Sequence, residues 1–188
     1  MAKVYEFLAN GFEEIEGMAP VDILRRAGID IKTVSISESK YIETSHGITV
    51  KADLMFEDTD LSDADLLMLP GGMPGSTNLN AHNGLKRALL KHNAEGRKIA
   101  AICAAPMVLG GLGLLKGKHA TCSPGFEKYM EGAIYTHELC TVDGNITTGE
   151  GPAATLPYAY TILESFVGKE ASETLQRKMQ FAHLMGNE

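Results

Sequence analysis

Tryptophan is absent from this sequence, aromatic residues make up only 6% of it, and there are three cysteines in 188 residues. Three cysteines are too few, and odd in number, for a disulfide scaffold. The core must therefore be largely aliphatic. A hydrophobic content of 44% over this length is enough to bury one without cross-links, and it excludes intrinsic disorder. Basic residues are in the minority: 17 Lys and Arg against 24 Asp and Glu leave a formal charge of −7, and no basic block occurs. Such a chain offers no footprint for a phosphate backbone, so nucleic acid is not expected as a main partner. No charged-then-apolar leader is expected, because Glu6, Glu13, Glu14 and Glu16 interrupt any signal-like run. The expected address is cytoplasmic, where thiols stay reduced. Each cysteine then needs a purpose other than cross-linking.

Long uncharged runs are scarce too. The exception is residues 99–115 (IAAICAAPMVLGGLGLL), which approaches the length of a membrane span. Pro106, Gly110, Gly111 and Gly113 interrupt it, and a buried strand, a turn and a buried helix account for it better. No membrane partner is expected.

No repeat, low-complexity tract or linker divides the chain, so residues 1–188 read as one domain. Residues 3–9 are rich in strand formers and end at the turn signal Asn10-Gly11. Residues 13–27 place Ile15, Met18, Ile23 and Leu24 at helical spacing, with Gly28 as a stop. Pro20 is expected to kink that helix or to mark a second start. A strand at 29–36, a hairpin over 41–50 around His46-Gly47, a strand at 66–69 and a helix at 85–93 follow. A strand at 99–102 breaks at Cys103 and leads to a helix from about Ala104. Later strands are expected at Thr121, 139–142 and 146–148, the last two joined at Asp143-Gly144-Asn145. Pro152 suits a helix start, and helices at 156–166 and 171–183 close the chain. Strands alternating with helices point to an α/β fold with a doubly wound, largely parallel sheet and helices on both faces.

Ligands of such sheets bind beyond the carboxyl ends of the strands. That rule selects Asn10-Gly11 with the following glutamates, Pro70-Gly71-Gly72, the turn at Cys103, and Gly149-Glu150-Gly151. Cys103 sits between an apolar strand and a small-residue helix, in AAICAAPM, resembling a nucleophile elbow with Cys in place of Ser. A helix start beside it is expected to lower its pKa and favour thiolate. A buried core cysteine is the plain alternative. Gly72 and Ala104 offer backbone N–H groups to an oxyanion near Cys103, although a glycine pair after a strand also serves simply as a turn. Glu13 and Glu14 read as helix-dipole partners on a solvated face. Glu16, if it faces the sheet rim, is expected to be a partly buried, protonated carboxyl that shares a proton with the thiol. The pairs His119-x-x-Cys122 and His137-x-x-Cys140 invite a zinc reading, but residues three apart on a strand face opposite ways, so no metal is expected. A Cys-His protease needs a histidine near Cys103, and none adjoins it in sequence; His46, His119 and His137 are the partners available elsewhere.

Taken together, residues 11–17 (GFEEIEG), 20–28 (PVDILRRAG), 69–72 (LPGG) with Asn78-Leu79, 100–106 (AAICAAP) and Gly151-Pro152 resemble the ThiJ/PfpI superfamily, in its branch of the parkinsonism-linked DJ-one and bacterial YajL. The resemblance implies a flavodoxin-like fold, usually a homodimer. It places the reactive cysteine on Cys103, the proton-sharing glutamate on Glu16, and the oxyanion amides on Gly72 and Ala104. It implies glutathione-independent conversion of dicarbonyls, deglycation of glycated adducts, or redox-responsive chaperoning, with no cofactor. The protease branch places His after the nucleophile, where this chain has Ala104. Ser123 stands where the branch commonly has a histidine, His46 where it has an arginine, and Gly149-Glu150 where it has serine-arginine. Ser123, His46 and His137 are therefore candidate accessory groups. Two functions are expected from one site: an enzyme acting on a small dicarbonyl or glycated substrate, or a stress protein that senses oxidation through Cys103.

Overall fold

The strand segments of this sequence are apolar on both faces, a pattern that requires cover on both sides of a sheet. The structure is a computed structural model that describes residues 1–186. Its strands are β1 (Lys3–Leu8), β2 (Asp30–Ser35), β3 (Tyr41–Glu43), β4 (Thr49–Lys51), β5 (Leu54–Met55), β6 (Leu66–Leu69), β7 (Lys98–Ile102), β8 (His119–Ala120), β9 (Ile134–Tyr135), β10 (Cys140–Asp143) and β11 (Ile146–Gly149). Its helices are α1 (Glu14–Arg26), α2 (Gly75–Ala81), α3 (Asn83–Ala94), α4 (Pro106–Gly111), α5 (Thr155–Val167), α6 (Lys169–Lys178) and α7 (Phe181–Leu184). Seven strands form the main sheet in the order β10-β11-β7-β6-β1-β2-β5. Every pairing in it is parallel except the β10–β11 hairpin. This is the flavodoxin-like, doubly wound α/β arrangement expected.

Alternate residues of each strand feed two cores. On one face Tyr5, Phe7, Leu67, Leu69, Ile99 and Ala101 meet Leu79, Leu85, Leu89 and Leu109 from α2, α3 and α4. On the other, Val4, Leu66, Met68, Ala100 and Ile102 meet Val21, Ile23 and Leu24 of α1 and Tyr158, Ile162 and Leu163 of α5. Chain order reverses between β1 and β6, because β2 lies on one side of β1 and β6 on the other. The carboxyl ends of β1, β6 and β7 flank that switch point, where an open α/β sheet binds its ligands.

Several expectations are corrected. Pro20 lies inside one continuous helix and is buried, so it marks no second start. A proline there removes a single N–H, the one that would reach the Glu16 carbonyl, and packing of α1 against β2 and α5 holds the helix across the gap. Ile15 faces outward, 52% exposed, rather than into the core. Thr121 falls just outside β8, and α4 begins at Pro106 rather than Ala104. The single helix expected over 171–183 is two, α6 and α7, separated at Gln180, whose φ of 61° is left-handed. The strand β5, the strand β9 and the helix α2 were not expected at all. Phe7 packs at 6.0 Å from Phe56 and is fully buried. Phe7→Ala should cost about 3–5 kcal/mol in urea unfolding, and a loss below about 1 kcal/mol would contradict this account of the core.

Candidate functional site

Strand β7 hands the chain over at Cys103, whose φ is 64°. A left-handed conformation is uncommon for a residue with a side chain and persists only where the surroundings over-determine it. Here they do: the Cys103 N–H donates to the Gly149 carbonyl at 2.9 Å, and the Cys103 carbonyl accepts from the Ser123 N–H at 2.9 Å. Ala104 and Ala105 are buried and small enough for the turn. Cys103 is partly exposed, whereas Cys122 is fully buried and matches the plain core cysteine.

The second group arrives from α1. Glu13 is its N-cap, and the Glu13 carboxylate accepts from the Glu16 N–H at 2.8 Å. Glu13 is therefore a buried cap rather than part of a solvated face. One helical turn later, Glu16 points into the sheet rim, fully buried, and its Oε2 accepts from the Gly71 N–H at 2.9 Å. A Cβ on Gly71 would stand 2.5 Å from Glu16 Oε2 and 2.6 Å from Cys103 Cβ. Only glycine lets carboxyl and thiol meet there. Gly72, with φ of 86°, would place a Cβ 2.3 Å from the Glu13 nitrogen. The glycine pair is thus a packing requirement as well as a turn.

Burial dominates the electrostatics. It pushes the Glu16 carboxyl up from 4.5 to about 7, helped by the charge of Glu13, while hydrogen bonds from the Cys103 thiol and the Gly71 N–H pull the other way. The Cys103 thiol is pushed up to about 12 by burial first, then by the charge of Glu16 and their shared hydrogen bond. Amide N–H groups of Gly72 and Ala104 face the sulfur and pull it down, but they do not prevail. The free thiolate expected from a helix start is corrected accordingly. The chemistry this permits is a neutral thiol hydrogen-bonded to a carboxyl whose proton affinity suits a general base near neutral pH.

The accessory candidates are scattered. Ser123 borders the elbow through its backbone N–H. His46, on the β3–β4 turn, pairs through Nδ1 with Glu14 at 2.9 Å, and that carboxylate raises its pKa. His137, with φ of 56°, pairs through Nε2 with Glu150 at 3.2 Å and stacks on Tyr135. Both histidines are thus engaged with acids other than Glu16. His119 bonds Asp143 and lies exposed while Cys122 is fully buried, so that His-x-x-Cys pair does not meet. Among the described residues, one cluster of three ligand-type side chains comes close together, Glu13, Glu14 and His46. The cap bond of Glu13 and the Glu14–His46 ion pair account for its geometry. The glutamate cap was not legible in the sequence, because a glutamate is not among the usual N-cap residues and the Glu13 N–H donates to the Gly71 carbonyl rather than to Glu16.

The sequence pattern of the DJ-1/PfpI family matches residues 2–165. The chain belongs to this family. It is 39% identical over 170 residues to a protein DJ-1 homolog B of Arabidopsis thaliana, covering 89% of the chain but 39% of that relative. A second Arabidopsis relative is covered to 43%, so the chain spans about two fifths of these proteins. It is 36% identical to the Parkinson disease protein 7 homolog of Danio rerio, over 88% of the chain and 89% of the relative. A protein of Pyrococcus horikoshii named deglycase PH1704 is 33% identical, over 80% and 91%. The crystal structure of a C103A mutant of a DJ-1 superfamily protein from Salmonella typhimurium superposes with a TM-score of 0.91 at 33% identity, covering 95% of this chain and 98% of that one. A Toxoplasma gondii DJ-1 described as oxidized matches equally well, at 0.91 and 32%, with the same coverage.

The raised Glu16 has a consequence for this family member's stability. A carboxyl whose folded value lies above its unfolded one stabilises the fold fully below about pH 4.5, and that stability is lost as pH rises through about 7. Unfolding free energy should therefore fall by roughly 3 kcal/mol more in wild type than in Glu16→Gln between those limits. Parallel curves for the two proteins in urea titrations would contradict the assignment.

Proposed function

We propose that this DJ-1/PfpI member is a cysteine-dependent enzyme acting on reactive dicarbonyls or glycated adducts. The observation that carries the reading is the Cys103 thiol, held at a strained elbow against the buried Glu16 carboxyl and faced by two amide N–H groups. The sulfur attacks the aldehyde carbon of the substrate while Glu16 takes the thiol proton, giving a hemithioacetal. N–H groups of Gly72 and Ala104 stabilise the oxyanion. Glu16 then moves a proton from the former aldehyde carbon to its neighbour through an enediol. One carbon is oxidised and the next reduced, so no external oxidant is needed. Water releases the hydroxy acid and restores the thiol; with a glycated hemiaminal, the C–S bond forms as the C–N bond breaks, the amine leaves with the proton that Glu16 took from the thiol, and the same hemithioacetal follows. The relative named a deglycase supports this reading.

A second reading shares the thiol: oxidation of Cys103 by peroxide to sulfenic acid, with Glu16 hydrogen-bonded to the product. The neighbour described as oxidized favours it. Mass spectrometry after mild peroxide should find oxygen on Cys103 before Cys122 or Cys140, and the reverse order would refute it. A homodimer and a cytoplasmic address belong to the same proposal. Outward-facing Ile15, Tyr41, Ile48 and Met73 support the dimer, and no described helix is long and apolar enough to cross a membrane.

For the enzyme reading, methylglyoxal should be converted to lactate. Cys103→Ser should lower the rate at least about 100-fold, and Glu16→Gln by about the same factor. Equal turnover by Cys103→Ser, or none by wild type, overturns the proposal.

A further inference from the structure

Three side-chain atoms between the sheet and the helices α1 and α5 are buried without a nitrogen or oxygen partner: Glu6 Oε2, Glu16 Oε1 and Tyr158 Oη. Glu6 interrupts the apolar strand β1. Its neighbours Tyr5 and Phe7 enter the core on the α2–α4 side, so Glu6 turns to the α1–α5 side with Val4. It is 1% exposed. Tyr158, fully buried in the first turns of α5, lies under the elbow: a Cβ on Gly149 would stand 2.8 Å from the Ile102 side chain and 3.0 Å from the Tyr158 ring. Its hydroxyl lies within electrostatic range of Glu6 on β1, Cys140 on β10 and Glu16 on α1. Among the described residues, no other side chain is hydrogen-bonded to Glu6 Oε2. The α1 cation whose field reaches it, Arg25, donates to Asp53 at 2.6 Å and to the Ile31 carbonyl. Its β2 partner Thr33 uses its hydroxyl on Asp53, and its β6 partner is Met68.

We propose that Tyr158 and Glu6 are positioning residues for the reactive pair: the Tyr158 hydroxyl, oriented by the Glu6 carboxyl, supplies the inner hydrogen bond to Glu16 through enclosed water. The inference rests on the proposed function only in taking Cys103 and Glu16 as the reactive centre. The donor and acceptor count closes. None of the three atoms is in direct hydrogen-bond geometry with another; burial keeps both Glu6 and Tyr158 protonated, so enclosed water carries the Glu6 O–H to Tyr158 Oη and the Tyr158 O–H to Glu16 Oε1. Buried polar atoms are paired by protein or by enclosed water, and three unpaired ones in a single layer are most simply satisfied by water enclosed among them. Cys103 then engages Glu16 from the solvent side while Tyr158 holds it from the core side. The tyrosine favours the ionised carboxylate, which is the form that accepts the thiol proton.

The test is the pH dependence of Cys103 alkylation by iodoacetamide, followed by mass spectrometry of the Cys103 peptide so that Cys140 is read separately. Losing a donor to the carboxylate makes Glu16 harder to ionise. Tyr158→Phe should therefore move the acid limb upward by about one pH unit. Glu6→Leu should move it in the same direction, while Glu6→Gln, which keeps a neutral donor of the same shape, should stay within about 0.3 unit of wild type. An unmoved limb in Tyr158→Phe or Glu6→Leu, with native circular dichroism, overturns the inference. So does a Glu6→Gln shift as large as that of Glu6→Leu. Should Glu6→Leu fail to fold, the near-isosteric Tyr158→Phe and Glu6→Gln decide the matter. Alkylation needs no turnover, so a shifted limb in a protein inactive on methylglyoxal would refute the proposed function and leave this inference standing.

Discussion

The site depends on one unfavourable act, the burial of the Glu16 carboxyl against the Cys103 thiol. A charge placed there is costly, so the proton is retained to about neutral pH and the thiol keeps its own. Much of the nearby geometry serves that contact. Gly71 leaves the space for it, Glu13 fixes the helix turn that aims Glu16, and the Gly149 and Ser123 backbones hold the elbow that aims the sulfur. The doubly wound sheet supplies the meeting place, because β1, β6 and β7, remote in sequence, end beside one switch point.

The pKa directions decide which chemistry this arrangement can run. A lone cysteine beside a helix start would be read as a thiolate nucleophile. Here α4 is only six residues long and starts three positions later, and burial outweighs the amides of Gly72 and Ala104. Reactivity is consequently a property of the pair. One group gives up a proton as the other receives it, and the two titrate as a coupled unit. The same logic gives Tyr158 and Glu6 a place, since a buried carboxyl that must change charge gains from a fixed donor on its hidden side.

Much of this was legible in the residues. The alternation of apolar strands with periodic helices led to the sheet, and the carboxyl-end rule led to the turns at Gly11, Gly72, Cys103 and Gly149. The pairing of Cys103 with Glu16 was a conditional reading of a helix start near the strand ends, and a resemblance across several motifs sharpened it, since no local spacing links positions 16 and 103. Other features left no mark. Helix α2 reads GSTNLNA, without apolar periodicity, and is set by its packing on α4 and β1. Gln180 takes the left-handed conformation that glycine usually signals, so the break between α6 and α7 has no punctuation. Glu6 did stand out, as an acid inside KVYEFL, but a half-exposed strand would carry the same pattern. Its burial depends on α1 and α5 covering that face.

The most direct measurement of the central claim is the ultraviolet thiolate absorbance of Cys103, titrated against a Cys103→Ala blank in wild type and in Glu16→Gln. Coupled acids should give wild type two resolved steps, with the thiolate incomplete until the second. Glu16→Gln should collapse them to one step at lower pH than the wild-type second step, because the opposing carboxylate is gone. Superimposable single-step curves in the two proteins would show that thiol and carboxyl titrate independently, and would contradict the account.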